Sequence, residues 1–224
     1  VELTVLHRPL YTTADAAHLV GVPSTTLAWW LDGGVRQGKR YDAVLREVAS
    51  AGALVSWAEF VEARLLREYR KAGVPLQHIR PFIRRVRERM AVPYPLAHYR
   101  PYIDDARQLV YDLQQDVELD ERLYLVRPGA GDQLQLAPAV ERFLKVVEFD
   151  PEHDVVARIR PLGGASRLAI DPEREFGQPQ IGGVRADVIA ETAEAESVAA
   201  AAVAWDVREQ DVRDALRWQH RTAA

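Results

Sequence analysis

Ser24, Thr25, Thr26 and Ala28 lead into the pair Trp29-Trp30, and three cations, Arg36, Lys39 and Arg40, follow in the run Gly33-Gly34-Val35-Arg36-Gln37-Gly38-Lys39-Arg40-Tyr41. A serine or threonine hydroxyl both donates and accepts hydrogen bonds, and a small alanine lets backbone come close. Such side chains at the exposed start of a helix suit contact with base edges in a major groove. Cations on a turn suit phosphate oxygens, which fix register without reading sequence. Trp29, beside the hydroxyls, is counted with this set.

The segment that must position these groups is Thr12-Thr13-Ala14-Asp15-Ala16-Ala17-His18-Leu19-Val20-Gly21-Val22-Pro23-Ser24. Ala17 is small where two helices cross, Gly21 turns the chain, and Leu27 plants the second helix on the first, as a helix-turn-helix requires. Thr13 and Ser24 are expected to cap the two helices. The glycines at 33, 34 and 38 predict a β-wing with a strand-like exit through Tyr41, Val44 and Leu45. On Tyr11, Thr12, Ala16, Ala17, Leu19, Gly21, Val22, Leu27 and Trp30, roughly the first 60 residues resemble the winged helix-turn-helix of MerR-like regulators. No cysteine-bearing effector domain or long coiled coil of that group follows.

Charge is unevenly spread. The chain carries a net −4, yet residues 1–90 hold 14 Lys and Arg against 9 Asp and Glu, and the remainder 15 against 24. Phosphate attraction depends on the local field, so the basic half is where nucleic acid would bind. Nine cations fall in 61–90: Arg64, Arg67, Arg70, Lys71, Arg80, Arg84, Arg85, Arg87 and Arg89. Arg80, Arg84 and Arg87 share a helix side. A solvated face, a DNA-backbone contact and a partner surface all fit this pattern.

Ser56 and Glu59 have capping-box spacing and open a helix through Tyr69 that Gly73 ends. A further helix starts near Pro75 and restarts at Pro81. Past Pro93, Pro95 and Pro101, strand-like runs are expected at 109–113, 122–127, 133–136, 146–149 and 155–159, with one helix at 138–144 and a hairpin turn at 150–153.

The second informative segment is Gly177-Gln178-Pro179-Gln180-Ile181-Gly182-Gly183-Val184-Arg185, followed by helical patterns at about 188–193, 197–204 and 207–218. On Gly177, Pro179, Ile181, Gly183 and Arg185, then Val212, Ala215 and Leu216, it resembles a small bacterial domain common in antitoxins paired with PIN-like toxins. Val184 stands where that domain has threonine, and Glu194-Ala195 lacks its interhelical glycine. Arg185, Trp205, Arg213 and Trp218 are the candidate dimer or partner contacts, the tryptophans serving as core or interface anchors.

An enzyme is not expected. His7, His18, His78, His98, His153 and His220 show no metal-ligand spacing. No Gly-x-Ser-x-Gly elbow or phosphate-binding loop occurs, and Asp104-Asp105 and Asp120-Glu121 are adjacent pairs that point apart. No cofactor is implied, and no stretch of 18 apolar residues or leader pattern suggests a membrane. The absence of cysteine fits a reducing cytoplasm.

These readings predict an α+β, mainly α protein. A winged helix-turn-helix domain with basic helices occupies 1–92, an α+β segment 93–165, and a C-terminal three-helix, helix-turn-helix-like bundle 166–224. The resemblance to VapB-class antitoxins implies a dimeric type II antitoxin that binds and silences a PIN-like ribonuclease and represses its own operon through operator DNA. An antitoxin arginine entering the toxin's acidic, metal-holding site would be an effective plug. A stand-alone winged-helix regulator and a dimerising adaptor without DNA contact are the alternatives.

Overall fold

The computed structural model of the chain describes residues 3–46, 50, 52–70 and 76–222. By its contacts the chain falls into two units, residues 1–144 with 151–156, and residues 145–150 with 157–224. The architecture is α+β and mostly helical.

In the first unit a short helix α1 (Leu3–His7) leads to strand β1 (Pro9–Tyr11), then helices α2 (Thr13–Val20) and α3 (Ser24–Asp32). Strands β2 (Gly34–Arg36) and β3 (Lys39–Tyr41) form an antiparallel hairpin. Strand β4 (Val55–Ser56) then returns to pair with β1, Tyr11 opposite Val55 and Pro9 opposite Ser56. The segment between them thus starts and ends at one clasp. Helix α4 (Trp57–Arg70) follows immediately and runs through the core. Its capping box forms as its spacing predicts: Glu59 N–H donates to Ser56 Oγ at 3.3 Å, and Ser56 N–H donates to Glu59 Oε2 at 2.8 Å.

Trp57, Phe60, Leu65 and Tyr69 of α4 are fully or almost fully buried with Tyr11 and Phe143. Burying each such side chain contributes about 1.5–3 kcal/mol. Their polar atoms are satisfied: Trp57 Nε1–H donates to Val156 O at 2.7 Å and Tyr69 O–H to Tyr124 O at 2.8 Å. Burial raises the Tyr69 pKa, so its hydroxyl stays protonated. Glu62 differs. It is fully buried, one oxygen accepts Leu96 N–H at 3.0 Å, and Oε2 has no hydrogen-bond partner among the described residues. Desolvation pushes its pKa up to about 8, against the pull of Arg87 and the backbone bond and with a push from Glu59.

Helix α5 (Arg80–Met90) is preceded by a 3₁₀ turn at Leu76–Ile79, in keeping with the predicted restart at Pro81; Gly73 and Pro75 lie outside the described residues. Helix α6 (Asp104–Asp116) corrects the strand expected at 109–113. Its buried face is Val110, Leu113 and Gln114, and the polar member hides the helical period. Gln114 accepts the N–H groups of Leu125 and Val126 and donates to Val126 O at 2.7 Å. The run at 122–127 resolves into a 3₁₀ turn and strand β5 (Val126–Pro128), paired with β6 (Leu134–Leu136) ahead of helix α7 (Pro138–Leu144).

The second unit carries a five-stranded sheet ordered β11-β10-β9-β8-β7, from β7 (Val147–Phe149), β8 (Val156–Ile159), β9 (Ala169–Ile170), β10 (Pro179–Ile181) and β11 (Val184–Arg185). Helices α8 (Ala186–Ala195), α9 (Val198–Ala204) and α10 (Glu209–Thr222) follow and pack on one another as the expected bundle. Ser197 caps α9 by accepting Ala200 N–H at 3.1 Å. No described helix is long and apolar enough to cross a membrane.

Candidate nucleic-acid interface

The turn between α2 and α3 is built from Gly21, whose φ of +80° lets its N–H and that of Val22 reach Ala17 O at 2.8 and 3.0 Å. Ala17 and Leu27 are fully buried at the crossing. The caps differ from expectation. Thr12 holds the N-cap of α2, its Oγ1 accepting Asp15 N–H at 3.1 Å and donating to Asp15 Oδ2 at 2.7 Å. Thr13 is the first helical residue, because the Thr-x-x-Asp spacing selects the earlier threonine. Ser24 likewise begins α3 rather than capping it; Pro23 occupies the cap and makes no side-chain bond.

Three arginines spaced three apart on α4 brace this motif from behind. Arg64 donates to Leu19 O at 3.2 Å, Arg67 to Gly21 O at 3.5 Å and Arg70 to Thr26 Oγ1 at 3.3 Å. The first two satisfy carbonyls at the end of α2 that helix geometry leaves open, and the third reaches a side-chain hydroxyl on α3. These bonds give the three side chains a positional role within the chain.

Gly33 ends α3 at φ +68°, and a Cβ there would sit 2.2 Å from Tyr41 O. Only glycine lets the wing lie so close to the helix end. The wing turns through Gln37 and Gly38, with φ of 52° and 75°, the left-handed pair that a type I′ hairpin needs. Its exit is fixed by Val44 and Leu45 N–H groups donating to Trp30 O at 2.9 Å. Buried Arg46 locks the base, bonding Glu59 at 2.7 Å and Asp32 at 2.9 Å. Burial alone would lower the Arg46 pKa; the bonds to Glu59 and Asp32 outweigh it and raise it.

On this frame an open cleft of about 710 Å³ brings Thr25, Thr26 and Trp29 of α3 against Arg36, Lys39 and Arg40 of the wing. Trp29 meets Tyr41 edge-on with centroids 5.7 Å apart, and Lys39 Nζ lies 5.5 Å from the Tyr41 ring. Arg36, Lys39 and Arg40 are exposed and have no carboxylate partner among the described residues. Ser24 is exposed and Ala28 half-buried; neither lines the cleft. Sequence reasoning missed Tyr41 as part of the site, along with His78 on the cleft's far wall, and had Arg80 only as one of the basic run at 61–90. No periodicity links 78–80 to residues forty positions earlier.

The candidates in the second unit are scattered. Arg185 pairs with Asp187, and Arg213 with Glu209 at 2.6 Å. Trp205 donates from Nε1 to Thr192 Oγ1 at 3.0 Å. Trp218 is 5% exposed, with the Arg221 guanidinium 3.9 Å over its ring, so within this chain it is a core residue.

A protein-family profile described as "Putative DNA-binding HTH domain" matches residues 9–83. The chain is 31% identical to "Putative antitoxin VapB45" of Mycobacterium tuberculosis over 93% of its length and 92% of that protein. Protein Rv2308 of the same organism is 38% identical over 87 residues, covering 38% of this chain and 37% of that one. The crystal structure of Rv2018, also from Mycobacterium tuberculosis, superposes with a TM-score of 0.75 at 27% identity, over 93% of this chain and 98% of that one. The chain therefore belongs to the VapB antitoxin family, and its N-terminal part is a helix-turn-helix domain of the kind described as DNA-binding.

Proposed function

We propose that the chain is the antitoxin of a type II pair, acting in the cytoplasm, that neutralises a PIN-like ribonuclease by direct binding and represses its own operon as a dimer. The observation that carries this reading is likeness to a VapB antitoxin along nearly the whole chain, joined to the cleft between α3 and the wing. Thr25 and Thr26, with Ser24 and Ala28 beside them, face base edges. Arg36, Lys39 and Arg40 take the flanking phosphates in the manner of a MerR-like wing. Arg185, Trp205 and Arg213 belong to the dimer or toxin contact.

The test is co-expression with a PIN-like ribonuclease encoded beside the gene. A stable complex and loss of RNA cleavage are expected; undiminished toxicity and no complex would sink the antitoxin reading. Footprinting on the operon's own promoter should give two inverted half-sites, the mark of a symmetric dimer.

A further inference from the structure

We infer that the DNA path continues off the wing onto α5, where Arg84 takes a backbone phosphate over a cavity walled by β3 and α5. The inference rests on the DNA-binding reading above and adds a contact that neither the recognition helix nor the wing provides. The cavity, about 460 Å³, is lined by five arginines, Arg40, Arg46, Arg80, Arg84 and Arg87, against two aspartates, Asp32 and Asp42. It shares Arg40, Tyr41, Asp42 and Arg80 with the recognition cleft, so the two form one basic surface.

The arginines divide by what holds them. Arg46 is locked on Asp32 and Glu59. Arg80 donates to Asp42 Oδ2 at 3.0 Å and Asp42 O at 2.8 Å, and its buried Nε–H has no acceptor among the described residues. Arg87 donates to Pro93 O at 2.5 Å and Leu45 O at 3.1 Å. Arg84 is exposed, with no hydrogen-bond or ion-pair partner among the described residues. A flexible cation held between fixed ones can close on a phosphate at little reorganisation cost.

Geometry supports a nucleic-acid backbone over a lone anion. Arg80, Arg84 and Arg87 fall within about 60° of arc on α5, and span about 10 Å along it. That length matches about three nucleotide steps of one strand at ~3.4 Å of axial rise each. Arg89, on the same helix but about 140° away from Arg84, lies in a different cleft beside Asp112 and Asp116. It provides a control of equal charge.

The experiment titrates the full chain with a short random-sequence DNA duplex between about 50 and 200 mM salt. Arg84→Ala should reduce the log–log salt slope by about 0.9 and weaken binding roughly eightfold near 0.1 M salt, whatever the duplex sequence. Arg84→Lys should keep the slope, and Arg89→Ala should leave it unchanged. An unchanged slope in Arg84→Ala overturns the α5 contact while leaving the wing reading intact. Equal losses in Arg84→Ala and Arg89→Ala also overturn it, since total charge alone would then act. A wild-type chain that binds no duplex overturns both this contact and the DNA-binding function beneath it.

Discussion

The wing and the last helix each carry a row of cations, and their surroundings make them opposites. On α10 and its approach, Arg208 is bonded to buried Asp211, Arg213 to Glu209 and Arg217 to Asp214. On the wing, Arg36, Lys39 and Arg40 face solvent with no carboxylate bonded to them among the described residues, although Asp42 lines the same cleft. A positive count along a helix says little about nucleic acid. What matters is whether the charge is already answered within the fold.

The largest test sets the two rows against each other. If the wing cations each take a phosphate as proposed, replacing Arg36, Lys39 and Arg40 together by alanine should lower the salt slope by about 2.7 and affinity by several hundred-fold near 0.1 M salt, nearly 4 kcal/mol. The matching triple at Arg208, Arg213 and Arg217 should leave the slope where it was. Equal losses from the two triples would erase the distinction.

Two buried carboxylates sharpen it through pH. Glu62, with its pKa raised to about 8, is held neutral by burial. The folded chain keeps a proton that the unfolded chain releases near its ordinary pKa of 4.5. Stability should therefore fall by about 3 kcal/mol from pH 5 to 8, and Glu62→Gln should flatten that slope in denaturant titrations. Asp211 has the reverse sign. Its bonds from Arg208 hold its pKa below 3.8, against desolvation, so its contribution is present at neutral pH and fades as pH falls below about 4. Asp211→Ala strands the Arg208 side chain and backbone N–H and should cost about 2 kcal/mol while leaving DNA affinity unaltered. A loss of DNA affinity matching the loss of stability would tie the second unit to DNA after all.

The smallest effect belongs to the wing tip. Gly38 has φ +75° with open space around a would-be Cβ, so Gly38→Ala should cost about 1 kcal/mol from backbone strain alone. Its signature would be a modest rise in hydrogen exchange confined to β2 and β3.

Legibility in the sequence followed how local each cause was. The capping box at Ser56 and Glu59, the helix at 138–144, the Gly21 turn and the wing are set by neighbours a few residues apart, and all appear. The α6 segment was misread because Gln114, a polar residue, occupies the core face to satisfy the β5 backbone. The bracing by Arg64, Arg67 and Arg70 was equally hidden, for an acceptor forty-odd positions away leaves no trace in spacing. Within the site, α3 and the wing were readable because both sit in one short stretch; that His78 and Arg80 form their far wall was not.

The β1–β4 clasp carries a further consequence. Because the chain enters and leaves the helix-turn-helix and wing at paired residues, Tyr11 with Val55 and Pro9 with Ser56, that cassette has adjacent ends. A module with adjacent ends is portable. Its length can change between the paired strands without re-threading the chain on either side of them, while the contacts from α4 set which replacements still pack.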